Sequence, residues 1–166
     1  MSRHWPWLLV IPAALFVLIR GLSPGRPIEL EKQELLERHQ DLLRAVRQGD
    51  LDSWLALETE DFVECTAGEI REPSVAERRA ERSLWLGSLT LRRYEDAFDP
   101  IVEVANDGSL AWLVTRVHVV GTKKSAAGVE SEIDRTEPWV ELYRKVQGEW
   151  KLSGRQPGRC DGSSTP

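Results

Sequence analysis

The sequence is poor in cysteine and has no excess of basic residues, and both shortages exclude classes of protein. Its two cysteines, Cys65 and Cys160, are too few for a disulfide framework and lack the spacing of metal ligands. Lys and Arg together number 22 against 27 Asp and Glu, which gives a net charge of −5. Because nucleic-acid affinity depends on clustered Lys and Arg, we expect no nucleic-acid partner.

Other signatures of chemistry are also missing. His4 and His39 have no partner residues for a zinc site, no Ser-His-Asp arrangement can be identified, and no glycine-rich loop is present to bind phosphate. We therefore expect neither a metal nor a cofactor. A bridge between Cys65 and Cys160 would need an oxidising compartment, and the simpler interpretation is a buried strand thiol plus a free thiol in a loose tail.

The amino-terminal residues carry the longest apolar run. Residues 5–19 contain no charge, and Arg3 and Arg20 flank them. The run is shorter than the roughly 20 residues of a comfortable membrane span, although Arg20 can snorkel and the next two residues extend it. We predict a signal anchor at residues 1–22 that contacts the membrane through residues 5–22, with the domain outside the cytoplasm. A signal peptide that is cleaved before secretion is the alternative.

Composition divides the rest of the chain into a linker, one domain and a tail. Residues 23–28 are rich in helix breakers and form the linker, residues 29–156 form the domain, and residues 157–166 are expected to be a flexible tail. The chain is 41% hydrophobic and 30% charged, which argues against disorder. A domain of about 130 residues is large enough to bury a core without disulfide bonds.

Two helices are predicted at the start of the domain. Apolar residues recur at helical spacing over residues 29–47, and Gly49 is expected to end this helix. Asp50 then caps a short second helix that has Trp54 on its apolar side. The two helices are therefore joined by a tight Gly-Asp connection.

A third helix is predicted from residue 75 to residue 86. Ser74 and Glu77 form a capping box at its start, because each side chain can bond the backbone amide of the other residue. The helix carries three arginines, which are Arg78, Arg79 and Arg82. The simplest interpretation is a solvated basic face, and the alternative is an arginine that faces a ligand.

The second half of the domain is predicted to be a sheet. Apolar and polar residues alternate through much of residues 101–155, with turn signals at Asp107-Gly108 and Gln147-Gly148 and a longer loop at residues 122–128. This pattern indicates antiparallel strands. Apolar residues occur on both faces of the two longest strands, so both faces of the sheet are expected to be covered.

The order of these elements resembles the nuclear transport factor 2-like superfamily, and within it the SnoaL-like branch. The resemblance rests on a helix, Gly-Asp, a short helix with Trp54, Asp61-Phe62-Val63, a capped third helix, and strands containing DGSLAW and LYRKVQGEWKL. It covers residues 32–155. It implies an α+β fold in which a cone-shaped, curved antiparallel sheet packs on about three helices, preceded here by one hydrophobic helix. It also implies a pocket inside the cone and a homodimer through the outer sheet face.

Catalysis is expected to depend on one histidine, if the domain is an enzyme. Pairing the two long strands about their loop places His118 near Glu132 and Arg116 near Asp134, with Trp112, Arg116 and His118 on one face. A histidine oriented by a carboxylate inside the cone would be a general acid or base. The alternative is a ladder of exposed cross-strand ion pairs on a solvated strand.

Further candidates follow from the resemblance and from composition. Asp61 matches an acidic position near the pocket mouth of the superfamily, and the alternative is a turn residue before a strand. Tyr94 can donate a hydrogen bond to a ligand oxygen or simply pack in the core. Five tryptophans are expected either to line an aromatic pocket or to pack in the core: Trp54, Trp85, Trp112, Trp139 and Trp150. Some relatives have a histidine after the last strand, where this chain has Ser153-Gly154-Arg155.

These observations favour a membrane-tethered module that binds a small, partly apolar molecule or assembles with protein. The candidate catalytic residues are His118, Glu132 and Asp61, and the candidate binding residues are Trp54, Tyr94, Trp112, Arg116 and Asp134. The alternative is a cofactor-independent lyase, isomerase or cyclase that uses His118 with a carboxylate. The direction in which His118 points separates the two, since catalysis requires it to face the inside of the cone.

Overall fold

A computed structural model describes residues 26–66 and 68–158. The predicted membrane segment, Cys160 and most of the predicted tail lie outside the described residues. Within the described residues, no helix is both long enough and apolar enough to cross a membrane. Cys65 lies in the first strand and is half-buried.

Three helices occur where the sequence predicts them. Their bounds are Ile28–Gln48 for α1, Leu51–Ala56 for α2 and Val75–Gly87 for α3. Gly49 ends α1 in the left-handed conformation, with φ of 69°, which a residue without a Cβ adopts at little cost. The Asp50 carboxylate accepts a hydrogen bond of 3.0 Å from the Ser53 amide at the start of α2. Both predicted helix boundaries are therefore confirmed.

The capping box at the start of α3 is also confirmed. The Glu77 amide donates to the Ser74 hydroxyl at 3.3 Å, and the Ser74 amide donates to the Glu77 carboxylate at 2.8 Å. The predicted solvated face is wrong for two of the three arginines, because Arg78 and Arg82 are buried while Arg79 is exposed. The side of α3 that carries Arg78 and Arg82 packs on the sheet.

Seven strands form one curved sheet. Their bounds are Glu58–Thr66 (β1), Glu69–Arg71 (β2), Leu89–Asp96 (β3), Ile101–Val104 (β4), Leu110–Lys124 (β5), Glu130–Val146 (β6) and Glu149–Pro157 (β7). The spatial order is β2-β1-β7-β6-β5-β3, and β4 pairs with the first half of β5. The predicted α+β class, with a cone-shaped sheet on three helices, is confirmed. The prediction that all strands are antiparallel is wrong for one pair, because β1 and β7 run parallel and make the sheet mixed.

The two faces of the sheet have different environments. Along β5, odd-numbered residues from Ala111 to Val119 are buried, while even-numbered residues are exposed or half-buried. Helix α1 packs against β3, β4 and β7 and covers the buried side, which we call the inner face. The opposite side is the outer face. The largest apolar side chains fully buried in the core are Leu35, Leu42, Phe62, Leu113, Trp150 and Leu152.

A buried carboxylate fixes the first turn of α1 to the sheet. Glu31 accepts a hydrogen bond of 3.0 Å from the Trp150 indole and pairs with the Lys145 ammonium at 2.5 Å. Burial alone would raise the pKa of Glu31, but the bonds from Lys145 and Trp150 outweigh it and hold the pKa below its usual value. An ion pair and a hydrogen bond therefore join the start of α1 to the β6–β7 hairpin.

Candidate functional site

A pocket of about 410 Å³ lies between the inner face and helices α2 and α3. Four aromatic rings line it: Trp54 from α2, Trp85 from α3, Tyr94 from β3 and Trp139 from β6. Their centroids are 5.9 Å apart for Trp54 and Trp85, 6.5 Å for Trp85 and Tyr94, and 5.7 Å for Tyr94 and Trp139. We call these four residues the aromatic wall.

Most of the charged side chains around the pocket are already paired. The ion pairs are Glu64–Arg82 at 3.3 Å, Glu81–Arg71 at 2.7 Å and Glu137–Arg135 at 2.8 Å. The exception is Arg155 of β7. Within residues 26–66 and 68–158, no carboxylate pairs with its guanidinium and no hydrogen bond to it is present, and its Nε and Nη1 atoms are buried.

The Arg155 guanidinium is held by aromatic rings instead. Its central carbon lies 4.8 Å from the ring centroid of Trp139 and 5.7 Å from that of Trp54. Guanidinium groups are favourably placed over indole rings, but such contacts leave the N–H groups at the edge of the guanidinium without acceptors. The guanidinium is therefore held against the two rings, and its buried Nε and Nη1 donors have no acceptor among the described residues.

A buried carboxylate, Glu58, holds Trp54 of the aromatic wall in position. The Glu58 side chain is fully buried, contacts Arg82 closely and lies 3.5 Å from Arg78, and it accepts a 3.0 Å hydrogen bond from the Trp54 indole. Burial raises the pKa of Glu58 above its usual value, and Arg82 opposes this rise. Arg82 also stacks on Trp54 at 4.5 Å. The position of Trp54 in the wall is thus set by the pair of Glu58 and Arg82.

A second buried charged cluster centres on His39 of α1. Its Nδ1 atom lies 2.8 Å from a Glu141 oxygen and its Nε2 atom 3.0 Å from an Asp96 oxygen. Burial lowers the pKa of His39, but the charges of Glu141 and Asp96 and their hydrogen bonds raise it to about 10. Both ring nitrogens therefore carry protons at neutral pH, and each donates to a carboxylate.

The two carboxylates that bind His39 also accept hydrogen bonds from hydroxyl groups. The Tyr143 hydroxyl donates to Glu141 at 2.7 Å, and the Thr115 hydroxyl donates to Asp96 at 2.7 Å. The pKa of Asp96 is below its usual value, since the bonds from His39 and Thr115 outweigh burial. Burial and the neighbouring Glu141 raise the pKa of Tyr143. The second oxygen of Glu141, Oε1, is buried and has no partner among the described residues.

The His39 cluster lies next to the aromatic wall on the same face of the sheet. Glu141 is two residues beyond Trp139 on β6, and Asp96 is two residues beyond Tyr94 on β3. Residues two apart on a strand point to the same side and are separated by about 7 Å. The sequence predicted only that His39 lacks partners for a zinc site, although a histidine in the apolar stripe of an amphipathic helix is a signal that a buried polar partner exists.

The structure places His118, Arg116 and Trp112 on the outer face, away from the pocket. They share one face, as predicted, but the predicted strand register is wrong by four residues. His118 is opposite Thr136, and its Nε2 atom lies 2.8 Å from the exposed carboxylate of Asp134.

The register differs because the turn between the strands lies two residues closer to the carboxyl terminus than predicted. Lys124 still pairs with Glu130, so the turn between them is confined to residues 125–129. Gly128 in this turn has φ of 80°. Strand β5 therefore extends into the predicted loop as far as Lys124, whereas β6 begins at Glu130, beyond that loop, so the centre of pairing moves towards the carboxyl terminus.

The remaining predicted site residues are divided between the pocket and the surface. Trp54 and Tyr94 line the pocket, so their role in binding stays a prediction that the geometry permits. Glu132 is exposed and pairs with Arg92 at 2.6 Å. Asp61 is exposed and bonded to Arg144, and this bond holds the pKa of Asp61 below its usual value. Neither carboxylate lies in the lining of the pocket.

The five tryptophans named from the sequence have three different environments. Trp54, Trp85 and Trp139 line the pocket, while Trp150 is buried in the core. Trp112 lies on the outer face and is 41% exposed. An apolar groove of about 470 Å³ runs beside it. The exposed apolar residues on this part of the outer face are Ile101, Leu110, Trp112 and Leu142, which we call the outer patch.

No family model and no curated protein matches the sequence. Solved structures do match the fold. An NTF2-like protein from Cytophaga hutchinsonii aligns with a TM-score of 0.60 at 18% identity, over 75% of this chain and 93% of that chain. An NTF2-like protein from Streptomyces avermitilis that is proposed to be a dehydratase aligns with a TM-score of 0.67 at 10% identity, over 81% and 99%.

A third match is the association domain of C. elegans CaMKII, with a TM-score of 0.59 at 14% identity, over 80% of this chain and 98% of that chain. At these identities the matches show the fold alone, so the SnoaL-like branch stays a prediction. The described residues of this chain have the NTF2-like fold.

Proposed function

We propose that the domain binds a small molecule in the pocket between the inner face and helices α2 and α3. The observation that carries this proposal is the aromatic wall, in which rings from four different elements meet in front of a cavity of about 410 Å³. Small-molecule sites are commonly concave and mostly apolar, with a volume of about 300–1,000 Å³ and a few polar groups. The pocket matches that description in its volume and its aromatic wall, and most of the charged side chains that also line it are ion-paired.

The test is binding of planar probes to the purified full chain in detergent. Saturation-transfer NMR with naphthalene carboxamides would detect occupancy, and Trp85→Ala is the informative variant because Trp85 is only partly buried. We expect at least a tenfold loss of affinity in that variant. Trp112→Ala is the matched control, since it removes an indole from the outer face. Equal losses in the two variants, or no binding to the unchanged chain, would contradict the proposal.

A second candidate function is assembly into a homodimer through the outer patch. Trp112 and Leu142 are directly opposite each other on β5 and β6 and are 41% and 52% exposed. Contiguous exposed apolar residues mark interaction surfaces more often than isolated ones do. The fold neighbour from C. elegans is an association domain.

Analytical ultracentrifugation of the full chain tests the dimer. We expect Trp112→Glu to shift the protein from dimer to monomer, because a carboxylate in an apolar interface is left without a partner. Val129→Glu is the control, since Val129 is 66% exposed in the β5–β6 turn, away from the outer patch. A monomeric unchanged chain, or a dimer that survives Trp112→Glu, would argue against the outer patch as an interface.

We also propose that residues 5–22 tether the domain to a membrane, with the domain outside the cytoplasm. The support is the uncharged run between Arg3 and Arg20. Flotation with liposomes tests the tether: the full chain should float, and a chain that begins at residue 26 should not. Protease protection in intact cells would then report the orientation.

A cofactor-independent lyase, isomerase or cyclase with His118 as its acid or base stays the alternative prediction. The outer-face position of His118 does not support it, because the aromatic wall lines the other side of the sheet. If a reaction takes place on the outer face, substitution of His118 should abolish its turnover. A reaction that takes place in the pocket should not need His118.

A further inference from the structure

We propose that the ligand of the pocket is an organic carboxylate with a planar apolar body, and that Arg155 binds its carboxylate group. This inference rests on the proposed small-molecule function of the same pocket. The proposed function rests on the aromatic wall, whereas the choice of a carboxylate ligand rests on the charge of Arg155. Arg155 is half-buried, and its Nε and Nη1 atoms have no acceptor among the described residues.

An arginine whose buried donors have no acceptor is stabilised when an anion binds to it. The guanidinium stays protonated in proteins, and burying a charge or a donor without a partner is unfavourable. The neighbouring carboxylates supply no hydrogen bond to Arg155, because Glu58 contacts Arg82 and Arg78 and attracts Arg155 only at longer range, and Glu64 contacts Arg82. Among the described residues, Arg155 is the arginine of this group that forms neither an ion pair nor a hydrogen bond through its side chain.

The Arg155 side chain is also held in position before a ligand binds. Arg155 lies between the rings of Trp139 and Trp54, at 4.8 Å and 5.7 Å from their centroids. On β7 it is opposite Glu141 of β6 and beside Glu64 of β1, so its backbone is held by strands on both sides. A guanidinium fixed in this way loses little freedom on binding, which favours affinity.

A single carboxylate fits the charge better than a multiply charged group does. One free arginine balances one negative charge, and the planar guanidinium matches the planar carboxylate. The aromatic wall offers ring faces and edges to an apolar body. The other charged side chains of the lining, Glu64, Glu81, Arg82, Arg135 and Glu137, are ion-paired. The ligand class is therefore an aromatic or otherwise planar monocarboxylate.

Matched pairs of probes test this inference directly. The probes are benzoate with benzamide, 2-naphthoate with 2-naphthamide, and indole-3-acetate with indole-3-acetamide, so the members of each pair share a ring and differ in charge. Calorimetric titration of the full chain in detergent should show at least tenfold tighter binding of the best acid than of its amide. Arg155→Met should remove this preference and leave amide binding within about threefold. Arg116→Met, which removes an exposed arginine from the outer face, should retain the preference.

The possible results separate this inference from the proposed function. If acids and amides bind equally to the unchanged chain, the pocket binds small molecules and the carboxylate inference is wrong. If no probe binds, both proposals are wrong. If Arg155→Met does not fold, the Nε resonance of Arg155 in the unchanged chain gives the answer, since it should shift with 2-naphthoate and not with 2-naphthamide. A resonance that stays unmoved by 2-naphthoate would overturn the inference.

Discussion

The Nδ1 atom of His39 lies 2.8 Å from Oε2 of Glu141, and both side chains are fully buried. The contact joins α1 to β6 across 102 residues of sequence. Asp96 binds the other ring nitrogen, so the imidazolium is between two carboxylates. A buried charge is tolerated only when it is paired and hydrogen-bonded, and this arrangement satisfies both conditions for His39.

The first prediction concerns the pH dependence of stability. The pKa of His39 rises from 6.5 to about 10 on folding, so the folded chain binds a proton that the unfolded chain releases. The resulting stabilisation is complete below pH 6.5 and is lost as the pH approaches 10. We expect the free energy of unfolding to fall by about 3 kcal/mol between pH 6.5 and about 9.5, as measured by urea denaturation.

His39→Gln serves as the control for this pH dependence. This variant cannot titrate at position 39, so its loss of stability over the same range should be smaller. Burial raises the pKa of Tyr94 and Tyr143, which keeps their ionisation in the folded chain out of this range. Parallel curves for the variant and the unchanged chain would mean that His39 does not hold its proton.

The second prediction concerns the arginines of α3. Arg82→Leu removes the closest ion-pair partner of the buried Glu58, so we expect a loss of about 3 kcal/mol in the free energy of unfolding. Arg79→Leu removes an exposed pair with Asp52 from the same helix and should cost less than about 1 kcal/mol. Equal costs in guanidinium denaturation would contradict the burial of Arg82.

The third prediction concerns the close approach of β3 to β5 at Gly121. A Cβ at this position would overlap the Thr90 carbonyl oxygen and lie 3.1 Å from the Leu91 Cα atom, both of which are backbone atoms. Gly121→Ala should therefore destabilise the protein by about 2 kcal/mol or more in thermal unfolding. Gly87→Ala at the end of α3 meets nothing within 4 Å and should be neutral or slightly stabilising.

The fourth prediction concerns the start of α3, the helix that carries Trp85 into the pocket. Ser74→Ala removes the hydroxyl that accepts from the Glu77 amide, and we expect a cost of about 1 kcal/mol. Hydrogen exchange should accelerate in the first turn of α3. Ser83→Ala, at an exposed position in the same helix, should change stability by less than about 0.5 kcal/mol. A similar acceleration in both variants would exclude a specific role for the cap.

The helix boundaries could be predicted from sequence because they depend on local chemistry. Free backbone groups at these boundaries are satisfied within a few residues, by Gly49, by Asp50 and by the Ser74-Glu77 pair. The local sequence is therefore sufficient to predict where each helix begins or ends. The shared face of Trp112, Arg116 and His118 was likewise predictable, since side chains in a strand alternate with a period of two.

The register and the buried charges could not be predicted in the same way. A displacement of four residues keeps every side chain on its face, so alternation alone does not distinguish the predicted pairing of His118 from the observed one. Arg82 and His39 are buried because Glu58, Glu141 and Asp96 are brought to them by distant strands. Such pairs exist only after the sheet has formed, and residue type alone places Arg on the surface.

The parallel pairing of β1 with β7 has a consequence for the order of events during synthesis. Apart from the three-residue β2, β1 has β7 as its neighbour in the sheet, and β7 comprises Glu149–Pro157 at the carboxyl end of the described residues. A ribosome that has made the helices and six strands has therefore not yet made the strand that joins β1 to the rest. Contacts of such long sequence separation form slowly. Every chain that stops before Glu149 also lacks Arg155, so completion of the fold and completion of the pocket are one event.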